Sequence, residues 1–139
     1  MSISRTRIVV VDDHPSTRDG LATRVDLESD LEIVGEASDV NEAVEMIEEE
    51  QPDLAVIDVS LKTGSGIDLV RTVKERFPRV KMLVWSMYEV SLYGERALRA
   101  GAMGYINKQN ATDMIIDAIR AITAGELFIS EELSAKMLH

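Results

Sequence analysis

Five short apolar runs, at residues 8–11, 31–34, 54–57, 82–85 and 103–106, alternate along the chain with five segments of helical period. The first, third and fourth runs are nearly unbroken in Val, Ile, Leu and Ala, the composition of strands covered on both faces. The second contains Glu32 and suits a sheet edge. Between the runs, Val40, Ala43, Val44 and Ile47 form an apolar stripe at the i, i+3, i+4, i+7 spacing, and Ala111, Met114, Ile115, Ala118, Ile119 and Ile122 form a longer one. Asp39 with Glu42, and Asn110 with Asp113, have the spacing of an N-cap followed by an acidic residue at the third helical position. Pro15 fits the first turn of the first helix, where its missing N–H costs nothing. Pro52 and Pro78 stop helices ahead of strands.

Alternating strands and helices imply parallel strands joined by right-handed crossovers, with helices on both faces of the sheet. Five units predict an α/β fold of flavodoxin-like (βα)5 type, with strand order 2-1-3-4-5. In that order the chain reverses direction between the first and third strands, and ligands of such sheets bind beyond the strand carboxyl ends at the reversal. Gly125 ends the fifth helical segment, and Ser130 with Glu131 and Glu132 predicts a fresh N-cap for a short final helix. The expected organisation is one domain over residues 1–125 and an extension over 126–139 that begins a linker to a further domain.

Composition narrows the classes. The 139 residues suit one domain, and the absence of cysteine removes disulfides and thiolate metal sites. No apolar run approaches the roughly 20 residues of a membrane helix, and no signal-peptide pattern opens the chain, so a cytoplasmic protein without membrane contact is expected. The net charge of −10 repels phosphate backbones, so this chain alone is not expected to hold nucleic acid.

The polar residues then acquire addresses. Asp12 and Asp13 follow the first strand, Asp58 the third, Ser86 ends the fourth and Lys108 follows the fifth, so all converge on one rim at the reversal point. Three carboxylates at close quarters repel unless a cation intervenes. Hard oxygen donors suit Mg2+. With that ion and the Lys108 ammonium the formal charge of the cluster sums to zero, and a phosphoryl group becomes acceptable with Asp58 as in-line nucleophile. His14 has no histidine besides the terminal His139 to pair with and reads as a non-ligand.

These residues resemble the response-regulator receiver domains of two-component signalling, from Arg7 to about Ala124. Val11-Asp12-Asp13-His14-Pro15 is similar to the acidic pair of the NarL/FixJ type, Asp58-Val59-Ser60-Leu61 with Gly66 to the phosphoacceptor and its loop, and Gly104-Tyr105-Ile106-Asn107-Lys108 to the switch aromatic and lysine. The resemblance implies that Asp58 is the phosphoacceptor and that Asp12, Asp13, Asp58 and the Ser60 carbonyl form the Mg2+ shell. It also implies that Lys108 and Ser86 bind the phosphoryl oxygens, and that Ser86 and Tyr105 switch, Tyr105 by rotating inward. The implied partners are a sensor histidine kinase as donor, a second copy when phosphorylated, and DNA only through an output domain beyond this chain. The alternative is a stand-alone receiver acting by protein contacts; neither form is an enzyme. Lys62-Thr63, Met87, Tyr88 and Gln109 depart from the commonest pattern, and Tyr88 is expected to shield the phosphorylated aspartate from water. Rival classes lack their residues: there is no Gly-rich phosphate loop for a nucleotide-binding protein, and Ser60 stands where an Asp-x-Asp phosphatase needs its acid.

Overall fold

The structure is a computed structural model that describes residues 4–61, 64–109 and 112–138. Its strands are β1 (Thr6–Val11), β2 (Leu31–Ala37), β3 (Leu54–Ile57), β4 (Lys81–Ser86) and β5 (Gly104–Asn107). Its helices are α1 (Pro15–Asp26), α2 (Val40–Glu50), α3 (Gly66–Arg76), α4 (Val90–Ala100), α5 (Thr112–Thr123) and α6 (Glu131–Met137). The strands form one parallel sheet in the order β2-β1-β3-β4-β5, the predicted topology with its reversal between β1 and β3. A two-residue antiparallel ladder, Ser60–Leu61 against Gly64–Ser65, is added after β3. Lys62 and Thr63 lie outside the described residues.

Strand alternation sorts the core into two layers. Val9, Val11, Ala55, Ile57 and Val84 face α2, α3 and α4, where Ala43, Ile47, Leu69, Val73 and Ala97 meet them. Ile8, Val10, Leu54, Val56, Leu83 and Trp85 face α1 and α5, against Leu21, Val25, Ile115 and Ile119. Both faces of the central strands are therefore buried, which is why their sequences lack polar alternation. β2 lies at the edge, as Glu32 indicated, with Glu36 exposed.

The helix signals have physical counterparts. The Asp39 carboxylate accepts from the Glu42 N–H at 2.9 Å, and Pro15 opens α1. The stripe on α5 is rotated from the expected one: Met114 is exposed and Ile116 is buried. At 3.6 residues per turn the buried arc centres between Ile115 and Ile119, and Met114 lies about 120° from that centre. The expected Asn110 cap and Ala111 fall outside the described residues.

After Gly125 (φ 92°) the chain returns to the sheet. Phe128 donates its N–H to the Met103 carbonyl at 2.9 Å and forms a parallel bridge with Gly104. Ser130 then caps α6 by accepting from the Leu133 N–H at 3.1 Å. Leu133 is buried against α4 at Gly94, where a Cβ would stand 3.1 Å from its Cδ2.

Candidate functional site

Three main-chain bonds carry the sheet one step beyond its strands and fix the residues that follow. Asp12 N–H donates to the Ala37 carbonyl at 2.9 Å, Asp58 N–H to Val11 at 2.9 Å, and Lys108 N–H to Ser86 at 2.7 Å. α3 presses against the same corner. Gly66 donates to the Val59 carbonyl at 2.7 Å, and a Cβ at Gly66 would collide with the Asp58 carbonyl. Only glycine admits this approach.

Asp12, Asp58 and Ser86 are the buried polar residues among those described. The Lys108 ammonium reaches between the two carboxylates, donating to Asp12 Oδ2 at 2.6 Å and to Asp58 Oδ2 at 3.1 Å, and lies 5.3 Å from the centre of the Trp85 ring. Burial pushes the Asp58 carboxyl above the usual carboxylate range; Lys108 pulls it back, and the charge on Asp12 pushes it up again. The Ser60 N–H, 3.2 Å from Asp58 Oδ1, further favours the ionised form. The Ser60 side chain itself is exposed.

The cluster suits a divalent cation. Donor atoms of Asp12, Asp13, His14 and Asp58 lie within 4.8 Å of one another. At that separation a pair of like charges costs about 3–4 kcal/mol at an effective dielectric constant near 20. Asp13 Oδ1 is buried and makes no hydrogen bond. Asp12 and Asp58 against Lys108 leave one negative charge, and Asp13 adds a second.

His14 is the residue that sequence reasoning set aside. Its N–H donates to Asp12 Oδ1 at 2.8 Å, which turns the ring inward. Nδ1 then sits 2.9 Å from Asp12 Oδ1, 3.0 Å from Asp13 Oδ1 and 3.6 Å from Asp58 Oδ2. The signal was its place directly after the acidic pair, not a histidine partner elsewhere.

Ser86 and Tyr105 meet at the end of β4. Ser86 Oγ accepts from the Tyr88 N–H at 3.0 Å, and the Tyr105 hydroxyl donates to the Tyr88 carbonyl at 2.8 Å. The Tyr105 ring is buried, and burial pushes its phenol above the ordinary value. The expected shield, Tyr88, has its ring edge-on to Tyr93 of α4, with centroids 5.0 Å apart.

Residues 8–120, which carry this geometry, match the response regulator receiver domain family. The chain belongs to that family. This receiver domain is 32% identical over 134 residues to the oxygen regulatory protein NreC of Staphylococcus haemolyticus, across 96% of the chain and 62% of that protein. It is 29% identical over 135 residues to the transcriptional regulatory protein DegU of Brevibacillus brevis, across 97% of the chain and 57% of that protein. The chain thus spans about three fifths of the length of these curated relatives. Among solved structures it is similar to a LuxR-family response regulator from Aurantimonas sp. SI85-9A1, with TM-score 0.88, 32% identity, and 95% and 94% of the two chains covered. It is also similar to the signal receiver domain of the putative response regulator NarL from Mycobacterium tuberculosis, with TM-score 0.84, 28% identity, and 88% and 99% covered. It is a receiver of the NarL/LuxR type, with an acidic cluster of the kind that binds Mg2+. Among the described residues no helix is long and apolar enough to cross a membrane.

Proposed function

We propose that this receiver takes a phosphoryl group onto Asp58 from the phosphohistidine of a sensor kinase. The observation that carries the proposal is the Lys108 ammonium bridging two buried carboxylates from different strands. A buried −1, +1, −1 arrangement is costly as structure alone, since desolvation offsets much of its attraction. It becomes useful when a transferred anion needs positive charge at a fixed place.

In the transfer an Asp58 carboxylate oxygen attacks phosphorus, the P–N bond breaks, and the departing imidazole takes a proton from water. Asp12, Asp13, Asp58 and the Ser60 carbonyl would hold Mg2+, which supplies positive charge against the phosphoryl oxygens. Lys108 lets go of the Asp58 oxygen and binds a phosphoryl oxygen. The Ser86 hydroxyl, which at present accepts from Tyr88, has its own proton to donate to another. Moving Ser86 would pull on the Tyr88 main chain, to which Tyr105 is also bonded, so the β4–α4 loop and the Tyr105 ring shift together. That loop and β5 are the surface a partner would read.

The output proposed is control of a DNA-binding domain beyond this chain, supported by relatives that are transcriptional regulatory proteins of greater length. Phosphorylation would favour a dimer, while the acidic receiver alone would not bind DNA. The test is intact-mass analysis after incubation with acetyl phosphate. One phosphoryl group is expected with Mg2+ and none after chelation, and Asp58→Asn should stay unlabelled. Full labelling of Asp58→Asn would overturn the assignment.

A further inference from the structure

An all-oxygen description of the cation seat omits the His14 ring nitrogen, which lies among its carboxylate oxygens. His14 Nδ1 is closer to Asp12 Oδ1 and Asp13 Oδ1, at 2.9 and 3.0 Å, than to Asp58 Oδ2 at 3.6 Å. One nitrogen can give a proton to one oxygen. The ring satisfies Asp12 that way, and Asp13 Oδ1 remains buried without a hydrogen bond despite its equal distance. A shared positive centre would satisfy all of these atoms together. Ligands on adjacent corners of an octahedron with bonds of about 2.1 Å stand roughly 3 Å apart, which is the spacing found between this nitrogen and the two oxygens.

Resting on the proposed role of this cluster, we infer that His14 is itself a ligand, making the seat a mixed imidazole–carboxylate site that selects Co2+ over Mg2+. The backbone already places it, since the His14 N–H is bound to Asp12 and Pro15 opens α1 immediately after. The ring is 55% exposed, so Nε2 can carry the ring proton toward water while Nδ1 offers its lone pair. Carboxylate and water ligands suit Mg2+, whereas imidazole adds affinity for later transition ions.

The chain has one tryptophan, and Lys108, bonded to both Asp12 and Asp58, lies over its ring, so Trp85 fluorescence reports occupancy. Wild type and His14→Gln would be titrated with Mg2+ and with Co2+, and the Mn2+-loaded proteins examined by pulsed EPR. The expected result is a Co2+-over-Mg2+ preference that falls at least about tenfold in the variant, the lower end of what loss of even an indirect metal partner costs. Nitrogen hyperfine coupling should be present in wild type and absent in His14→Gln. An unchanged ratio with no nitrogen coupling, while both ions still bind and Asp58 is still phosphorylated, would overturn the His14 inference and leave the phosphoacceptor reading standing. If no divalent ion binds and Asp58 takes no phosphate, both fall together.

Discussion

Replacing Gly66 by alanine adds one methyl group at the point where α3 meets the turn after β3 that carries Asp58. That carbon would collide with the Asp58 carbonyl and stand 2.8 Å from the Val59 Cα. Both neighbours are main chain, so no side chain can rotate away, and α3 and the turn after β3 must separate. Overpacking of this kind costs about 1–3 kcal/mol. The more telling effect is on chemistry, because a reacting group displaced by roughly 1 Å can lose about 100-fold in rate. Gly20 is the matched control. It lies within α1, where an added Cβ meets nothing within 4 Å, so Gly20→Ala should stabilise by about 0.5–1 kcal/mol. Urea unfolding would supply the two stabilities, and acetyl phosphate labelling followed by intact mass the two rates. The same substitution should thus act with opposite sign at the two positions, and only Gly66→Ala should slow labelling. Equal stability and equal labelling rates for Gly66→Ala and wild type would refute the claim that this contact positions Asp58.

Lys108→Ala should leave the fold intact but remove the NMR shift differences between phosphorylated and free forms at Ser86 and Tyr105; unchanged differences would show that Lys108 does not sense the phosphate. Tyr88→Ala should lose about 0.5–1.5 kcal/mol of edge contact with Tyr93 while phosphoaspartate decay stays unchanged, since the Ser86 and Tyr105 bonds use the Tyr88 main chain. Faster decay would show that the ring shields the phosphorylated aspartate. Arg120 holds the Asp30 carboxyl below the usual carboxylate range, so the pair stabilises the fold above the unfolded value near 3.8 and that contribution is lost as pH falls through the lowered folded value. Arg120→Gln should therefore lower the urea midpoint slightly at pH 7 and have a smaller effect at about pH 3; an equal effect at both pH values would exclude this pair as the cause.

Much of the site was legible because it depends on strand ends. A strand buried on both faces shows itself as an unbroken apolar run, and the first polar residue after it marks the rim. That logic places Asp12, Asp58, Ser86 and Lys108 without knowledge of packing. His14 escaped it because its ring is turned by a bond from its own N–H to Asp12, a local geometry that no periodicity encodes. Met114 and Ile116 exchanged places because both lie near the margins of the α5 stripe, where docking against β4 rather than sequence sets the rotation. The docking of Phe128 and Leu133 was illegible for a different reason. Their partners, Met103 and Gly94, are distant in sequence, and no repeating pattern links a lone buried leucine to a glycine on another helix.

The return of the chain past Gly125 also changes what the sheet presents to other molecules. β5 is the last strand, and an open last strand is a template for unwanted pairing with another chain. Here the Tyr105 N–H faces the Phe128 carbonyl at 3.4 Å and the Met103 carbonyl is taken by the Phe128 N–H, so the first part of the strand's free border is already paired from within. Removing residues 126–138 would unpair it and empty the seat that Leu133 fills on α4. Truncation after Gly125 should therefore raise the tendency of this edge to pair with another chain, and it would do so at Tyr105, the residue whose hydroxyl is tied to the β4–α4 loop.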